Sequence, residues 1–170
     1  MLKILVKILK GVDRGIAGLQ KAILIIVSIF VICDLFIVVV ARYIFNTSIV
    51  GLEELTGHSA VWLYMIGASY GSYERSHIKA EFIHLIVKND RAVMILRSVA
   101  MAVAVVVACY LVKWSAGYVY WSVTKHEITP TLQIPTVIFQ MPILVSSILM
   151  AVYFFVEMLE LARLAFRKER

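Results

Sequence analysis

Four apolar stretches lie along the chain, and each is long enough to predict a helix that crosses a membrane. Residues 22–41 carry one charge, Asp34, and residues 55–73 carry no Lys, Arg, Asp or Glu. At about 1.5 Å per residue, about twenty helical residues cross the roughly 30 Å hydrocarbon layer. The pattern therefore predicts four spans, at about residues 22–41, 55–73, 98–121 and 136–156.

The third stretch is less regular than the others because Lys113 interrupts it. Residues 98–112 are uncharged, and the apolar pattern continues beyond the lysine to Val123. A lysine stem can lie along apolar surface while its ammonium group reaches the headgroups. This stretch therefore predicts a tilted or protruding helix.

The basic residues predict the orientation of the spans. Five Lys or Arg lie in residues 1–21, five in 74–97 and four in the C-terminal tail, whereas the opposite side holds only Arg42, Lys113 and Lys125. Positive residues in short flanking segments are retained on the cytoplasmic side. We therefore expect both termini inside, in a multi-pass membrane protein.

Composition agrees with a membrane protein and limits the classes of function. Hydrophobic residues make up 62% of the 170 residues and charged residues 16%, with a mean hydropathy of +0.90. The net charge of +6 is explained by topology and by attraction to anionic lipid, so it gives nucleic acid binding little support. We expect one integral membrane domain over residues 1–170, with an all-α fold of four transmembrane helices.

Three segments beside the spans mix basic and apolar residues with helical periodicity. Residues 1–21 place Lys3, Lys7, Lys10 and Arg14 at intervals of four, three and four. Such a segment predicts an amphipathic helix that lies along the inner leaflet. The cytoplasmic loop around residues 77–97 and the tail 157–170 show the same mixture. A plain extension of the neighbouring span would look similar, so both alternatives stay open.

Small residues predict where helices pack closely in lipid. Gly67 and Gly71 form a G-x-x-x-G pattern in the second span, and the third span has alanines at 100, 104 and 108. Small side chains let two helix backbones approach, which supplies the van der Waals energy of helix association. We expect contact faces at Gly67, Gly71, Ala100, Ala104 and Ala108.

Cys33 and Cys109 both fall within predicted spans. Unoxidised cysteine behaves as a small apolar residue in a protein interior. We expect the two to pack in this way rather than to form a disulfide.

Asp34 is the charged residue that lies well inside a span. An intramembrane carboxylate is costly, and it indicates either ion coupling or a structural hydrogen bond or ion pair. Asp34 lies eight residues before Arg42, which places it in the outer half of the helix. Both interpretations stay open, with the structural one favoured.

Patterns for catalysis or metal binding are weak. His77, Glu81 and His84 share one face of a helix, but no cysteine pair or fourth ligand accompanies them, so a polar interfacial stripe is favoured. The chain has no Ser/His/Asp order, glycine-rich phosphate loop or H-E-x-x-H motif. We expect no enzyme activity and no cofactor in this chain.

Two segments of the chain resemble a known protein family. They are "RYIFNTSIVGLEEL" at residues 42–55 and "VWLYMIGASYGSYERSHIKAEFI" at residues 61–83. They are similar to the small membrane subunit of tripartite ATP-independent periplasmic (TRAP) transporters. The matching residues are Arg42, Tyr43, Phe45, Asn46, Glu53, Glu54, Trp62 and His77. Two positions differ from the pattern: Gly51, where tryptophan is usual, and Gly57, where arginine often follows the acidic pair.

The resemblance implies a non-catalytic partner of a large membrane subunit that moves substrate and sodium by an elevator mechanism. It also implies a periplasmic binding protein that delivers a carboxylate such as sialic acid or a C4-dicarboxylate. Transport by the complex would be sodium-dependent. An autonomous four-helix exporter or channel that uses Asp34 is the main alternative, and a membrane-embedded redox anchor is a third.

The charges at residues 42–54 are then interpreted as a clamp between the first two spans. We expect Arg42 to pair with Glu53 or Glu54 and so to set the angle of the helical hairpin. Negative charge at the start of the second helix also offsets its dipole. Arg42, Asn46, Glu53, Glu54 and Asp34 are the predicted rim or partner contacts.

Overall fold

The computed structural model describes residues 2–74 and 90–167. Within these ranges the chain forms four α-helices, and the remaining regular pairing is an isolated antiparallel bridge between Ile128 and Pro135. The helices are α1 (Leu2–Tyr43), α2 (Val50–Tyr73), α3 (Asp90–Lys125) and α4 (Val137–Arg167). The predicted all-α fold is confirmed for the described residues.

The helices lie side by side in the order α1, α2, α4, α3. Helix α1 packs on α2, α2 on α4, and α4 on α3, and within the described ranges α1 and α3 do not meet. A closed bundle would bring the first and last of these helices together. The four helices instead form an open layer with α1 and α3 at its edges.

Three helices are long and apolar enough to cross a membrane, judged by length and composition. The qualifying segments are Asp13–Tyr43, Val93–Lys125 and Val137–Leu164. In the most apolar part of each segment, about 11% is buried inside the structure for the first two segments and 28% for the third. This difference follows from their positions, because α1 and α3 are the edge helices and α4 is internal.

Helix α2 is not among these three segments, and it packs on both sides. It lies between α1 and α4, and its buried residues include the small polar side chains Ser69 and Ser72. Its 24 residues would extend about 36 Å, enough to cross the hydrocarbon layer. The fourth crossing remains a prediction.

The contact between α3 and α4 uses a seven-residue spacing. Four side chains of α3 are buried at this interval: Met101, Ala108, Ser115 and Ser122. Seven residues make nearly two turns of helix, so these positions form one narrow stripe that matches the shallow crossing of long paired helices.

The alanines at 100, 104 and 108 do not share this stripe. Ala108 is buried, Ala104 is half-buried and Ala100 is exposed in this chain, so a contact of Ala100 with a partner stays a prediction. Each four-residue step rotates about 40° around the helix. Two such steps carry the pattern out of the contact face, whereas seven-residue steps remain in it.

The predicted close contact at Gly67 is loose enough to accept a methyl group. A Cβ built there would lie 3.7 Å from Leu24 Cδ2 of α1, an ordinary van der Waals distance. Gly71 is half-buried on the same helix.

Gly67→Ala is therefore expected to leave the α1–α2 contact intact and to raise stability slightly. Alanine is favoured over glycine in a helix interior by about 1 kcal/mol. Thermal unfolding in detergent should show an unchanged or higher midpoint. A clear decrease would mean that the backbones approach more closely than the Leu24 distance indicates.

Helix α1 runs without interruption from Leu2 to Tyr43. Residues 2–21 therefore continue into the first predicted span without a break, as a plain extension would, and an interfacial position of this segment stays a prediction. Residues 18–22 contain no proline, and Gly18, a residue type that often ends a helix, lies within α1. The segment is an extension of the first predicted span.

Two further predictions are affected by the structure. Cys33 and Cys109 are free thiols on exposed faces of α1 and α3, so neither packs in the interior of this chain. The cytoplasmic amphipathic helix around residues 77–89, with the His77, Glu81 and His84 stripe, lies outside the described residues.

Candidate partner-binding site at the rim

We call residues 42–54 and 126–136 the rim, because they join the helices at one end of the layer. Helix α1 ends there in a turn that Asn46 makes possible. Asn46 has a φ of 51°, in the left-handed region that asparagine tolerates better than most residues. The N–H of Thr47 donates to the Ala41 carbonyl at 3.0 Å, which closes the turn. Asn46 thus shapes the chain between α1 and α2.

Arg42 and Glu53 meet across this turn. The Arg42 Nη2 lies 2.5 Å from Glu53 Oε1, and the two side chains are 57% and 45% exposed. The structure therefore brings the predicted pair together, with Glu53 as the partner. Because both side chains are this exposed, we expect the pair to contribute about 0–1 kcal/mol, as exposed salt bridges do.

A double-mutant cycle on Arg42→Ala and Glu53→Ala is expected to give a coupling energy below about 1 kcal/mol. The coupling should fall as salt is added, because salt screens exposed charges. Unfolding free energies in detergent would measure both effects. A salt-independent coupling of several kcal/mol would contradict the exposed geometry.

The connection between α3 and α4 folds into a small hairpin around Thr129. The Thr129 N–H donates to the Ile134 carbonyl at 2.9 Å, and the Ile134 N–H donates to Thr129 Oγ1 at 3.1 Å. Thr129 is only 2% exposed. At the base of the hairpin, the Thr136 N–H donates to the Glu127 carbonyl at 3.0 Å. These bonds fix the connection as a defined structure.

Glu54 attaches this hairpin to the start of α2. Its Oε2 accepts hydrogen bonds from the backbone N–H of Thr131 at 3.0 Å and of Leu132 at 3.3 Å. We call this contact the Glu54 latch. It joins elements that are 77 and 78 residues apart in the chain.

The latch changes the acidity of Glu54. Partial desolvation acts to raise its pKa, but hydrogen bonds from Thr129, Thr131 and the backbone of Thr131 and Leu132 outweigh it and lower the pKa below the ordinary 4.5. Hydrogen bonds to a carboxylate favour its charged form. The latch therefore favours ionised Glu54.

The latch is expected to be fully present above pH 4.5 and to be lost as the pH falls through the lowered pKa of Glu54. A depressed folded-state pKa stabilises the folded form wherever the unfolded group is ionised. Hydrogen-exchange protection factors at Thr131 and Leu132 would measure this effect.

Glu54→Gln should lower protection of these amides several-fold at neutral pH and remove most of the pH dependence. Glu53→Gln is the matched control on the same helix and should keep the pH dependence, because Glu53 pairs with Arg42 and not with the hairpin. Protection that is unchanged in Glu54→Gln would contradict the latch.

Gly51 lies directly beneath the hairpin. A Cβ at this position would lie 3.0 Å from Leu132 Cδ2, which is too close without a shift of Leu132. The resemblance to TRAP subunits led us to expect a tryptophan at this position. In this chain the Leu132 side chain fills the space that a side chain at position 51 would occupy, so glycine fits there.

His58 packs between the latch and α4. Its ring stacks on Phe139 with 4.1 Å between centroids and a 10° interplanar angle. Its Nε2 lies 3.9 Å from Glu54 Oε1, which is too long for a hydrogen bond. The stacking contact joins α2 to α4 near the rim.

Asp34 lies below the rim and is bound by α2. Its carboxylate accepts a hydrogen bond from Thr56 Oγ1, and Asp34 is 3% exposed. The structure does not pair Asp34 with Arg42, which binds Glu53 instead. This contact agrees with the structural interpretation of Asp34.

A second buried polar contact joins the same helices farther from the rim. Gln20 Nε2 donates to Ser69 Oγ at 2.7 Å, and Ser69 is fully buried. Sequence reasoning missed this contact. Gln20 lies at the predicted edge of the first span, and serine is common in membrane helices, so neither residue was conspicuous.

The arrangement supports mechanical coupling between helices rather than catalysis. Three residues of α2 bind α1: Glu53, Thr56 and Ser69. On the other side of α2, Glu54 binds the hairpin and His58 contacts α4. Among the described residues no group of three or more His, Cys, Asp and Glu side chains is placed to hold a metal ion.

Comparison with known families identifies the kind of protein. The family model for "Tripartite ATP-independent periplasmic transporters, DctQ component" matches residues 19–164. The chain belongs to the DctQ family of TRAP transporter components. A search of curated proteins and a search of solved structures each found no match.

Membership in the DctQ family confirms the resemblance drawn from residues 42–83. The match spans most of the chain and therefore covers all four helices. DctQ is a transporter component family and not an enzyme family. The long apolar helices and the family together identify a membrane protein that takes part in TRAP transport.

Proposed function

We propose that this DctQ chain is the non-catalytic small subunit of a sodium-coupled TRAP transporter. It scaffolds a large elevator-type membrane subunit, and a periplasmic binding protein delivers a carboxylate substrate such as sialic acid or a C4-dicarboxylate. The family match over residues 19–164 is the observation that carries this proposal.

The internal contacts support a static frame. Buried polar groups of α1 and α2 bind each other: Asp34 binds Thr56, and Gln20 binds Ser69. Transporters that bind substrate themselves use broken helices with freed backbone groups near the midplane. Among the four described helices, α4 contains a proline, Pro142, and continues through it. These features favour support of a moving partner over a permeation path in this chain.

The rim is the proposed contact with the partners. Arg42, Asn46, Glu53 and Glu54 lie there, and the residues around them expose large apolar side chains. The exposed apolar residues are Tyr43, Ile44, Phe45, Ile49 and Val50. Apolar side chains beside satisfied charges make a surface that a large subunit or binding protein can cover.

The proposed location is the bacterial inner membrane with both termini in the cytoplasm. Fourteen of the seventeen Lys and Arg residues flank that side in the predicted topology, which supports this orientation. The rim would then face the periplasm, where the binding protein acts.

Copurification tests the proposal against the alternative of an autonomous exporter or channel based on Asp34. The tagged chain should copurify at a fixed ratio with a large membrane subunit. Asp34→Asn should copurify equally well, because asparagine retains an oxygen that can accept from Thr56. A chain that purifies alone and transports solute in liposomes would support the alternative instead.

A further inference from the structure

The contact between α3 and α4 is polar in the part that lies nearest the rim. The buried face of α3 carries Ser115 and Ser122 there, and the buried residues of α4 include Gln140 and Ser147. Both pairs have the same seven-residue interval, which is nearly two turns of helix, so each pair lies on one face of its helix. Four buried polar side chains are therefore concentrated at one end of this contact.

The hairpin sets which residues of α3 and α4 are level. The Thr136 N–H donates to the Glu127 carbonyl, so these two residues lie side by side. Ser122 lies five residues before Glu127, and Gln140 lies four residues after Thr136. Paired helices advance equally per residue, so Ser122 and Gln140 are level within about one residue, or about 1.5 Å.

Gln140 lies on the side of α4 that is turned away from α2. Phe139 and Tyr153 mark the face of α4 that contacts α2, through His58 and Tyr73. Gln140 is rotated from these two residues by about 100° and about 140° around the helix. It is nevertheless 2% exposed, and α4 is covered by α2 on one side and α3 on the other. Gln140 is therefore buried in the contact with α3.

Ser115 and Ser147 satisfy their hydroxyl groups within their own helices. Ser115 Oγ donates to the Leu111 carbonyl at 2.7 Å, and Ser147 Oγ donates to the Ile143 carbonyl at 2.6 Å. A bond to the carbonyl four residues earlier is a usual arrangement for serine inside a helix. These two hydroxyls need no further partner.

Ser122 and Gln140 differ from these serines because their polar atoms lack a partner. Ser122 Oγ and both Gln140 Nε2 and Oε1 are buried, and none of the three makes a hydrogen bond within residues 2–74 and 90–167. Each residue is 2% exposed. A hydroxyl or amide that is buried without a partner is unfavourable, and buried polar groups in proteins are bound by other protein groups or by ordered water.

We propose that at least one ordered water molecule binds between Ser122 and Gln140 and joins α3 to α4 beneath the hairpin. Water both donates and accepts hydrogen bonds, so it matches a hydroxyl, an amide NH₂ and an amide oxygen. Buried waters typically make about three hydrogen bonds to groups that are otherwise unsatisfied. The water supplies the contacts that the described protein groups do not.

The mixture of donors and acceptors favours water over an ion. Hard cations take about six or more oxygen ligands, whereas Ser122 and Gln140 offer two side-chain oxygens and an NH₂ group that repels a cation. An anion would lie beside the Gln140 amide oxygen, which repels it. A neutral molecule that donates and accepts avoids both conflicts.

The water site supports the part of the hairpin that the Glu54 latch attaches to α2. Ser122 and Gln140 lie within five residues of the Glu127–Thr136 pair at the base of the hairpin. A bridge at this level fixes the spacing between the end of α3 and the start of α4, and the rim gives water a short route of entry. The inference follows from burial and register and does not rest on the proposed function.

Selective isotope labelling of the glutamine side chains of the full chain in liposomes tests the site. The chain has three glutamines, so the spectrum is simple: Gln20, Gln133 and Gln140. Solid-state NMR transfer from water protons to the side-chain amides, with a filter that removes mobile bulk water, detects bound water. Gln140→Leu assigns the Gln140 signal, and the exposed Gln133 reports contact with bulk water.

Ser122→Ala and Ser115→Ala form a matched pair of variants on one face of α3. Ser122→Ala should reduce the bound-water signal at Gln140 about threefold or more, because the water loses one of its about three partners. It should also lower the midpoint of thermal unfolding by about 2–4 °C. Ser115→Ala should leave the Gln140 signal unchanged, because the Ser115 hydroxyl bonds the Leu111 carbonyl.

A bound-water signal at Gln140 that falls in Ser122→Ala and persists in Ser115→Ala supports the proposal. Lack of that signal in the unmodified chain, or an equal signal in both variants, overturns it. A higher unfolding midpoint in Ser122→Ala also overturns it, because removing a buried hydroxyl that has no partner is stabilising.

If Ser122→Ala does not fold, a structure of the unmodified chain at a resolution that shows ordered water decides. Water within about 3.2 Å of both Ser122 Oγ and the Gln140 amide supports the proposal. A direct hydrogen bond between the two side chains, with no water beside them, overturns it.

Discussion

Ser69→Leu is expected to separate α1 from α2 and to remove most of the folded chain. Ser69 is fully buried, and its hydroxyl is the partner of Gln20. A larger side chain in a packed contact costs about 1–3 kcal/mol. Loss of the hydrogen bond leaves the buried Gln20 amide unsatisfied, at a further cost of about 1–3 kcal/mol. Together these two costs are a large fraction of the free energy of unfolding of a typical folded domain.

Monodisperse yield and thermal unfolding in detergent would measure this effect. Tyr64→Leu is the control on the same helix, because Tyr64 is 69% exposed, and it should behave like the unmodified chain. Ser69→Ala should be intermediate, and the pair Gln20→Leu with Ser69→Ala should recover part of the loss, since both polar partners are then removed. Equal stability of Ser69→Leu and Tyr64→Leu would contradict the contact.

Asp34→Lys is expected to prevent folding, whereas Asp34→Asn should preserve transport by the complex. Asp34 is 3% exposed and binds Thr56, so a lysine would place an unpaired charge in a buried helix contact. A lysine near the centre of a membrane helix costs about 2.5–3.5 kcal/mol on insertion scales. Asparagine keeps an acceptor for Thr56 but cannot release a proton or supply a charge.

Substrate uptake by the reconstituted complex distinguishes the two roles of Asp34. Asp34→Asn should keep uptake within about twofold of the unmodified complex, a difference of about 0.4 kcal/mol in activation free energy. An Asp34→Asn complex that assembles normally but does not transport would show ion coupling through this carboxylate.

The sequence predicted the helices well because their signals are local. Apolar runs bounded by charges located four helices, although each helix extends beyond its predicted span: α1 begins at Leu2, whereas the predicted span begins at residue 22. The extent of a membrane span and the ends of a helix have different causes. Charged residues limit the span, whereas the helix continues until a turn residue such as Asn46 ends it.

The order of the helices was not predictable from one sequence. Adjacency of α2 and α4 depends on contacts between residues far apart in the chain, such as His58 with Phe139. The alanine spacing at positions 100, 104 and 108 is visible locally, but the buried stripe begins at Met101 and includes two serines. Composition does not reveal which face of an apolar helix meets its neighbour.

The rim was predicted in part. Opposite charges on either side of a short turn indicated that Arg42 would meet a glutamate, and it meets Glu53. The role of Glu54 was not predictable, because its partners are backbone amides of Thr131 and Leu132 in a distant connection. Every residue except proline carries a backbone N–H donor, so the residue types at 131 and 132 do not indicate this contact.

The central claim is that this DctQ chain supports transport without transporting. Sodium-driven uptake of a carboxylate into liposomes tests it, using the large subunit and binding protein with and without this chain. The account predicts that uptake is lost when the chain is omitted and that the chain alone moves no solute. Undiminished uptake without the chain, or transport by the chain alone, would contradict the account.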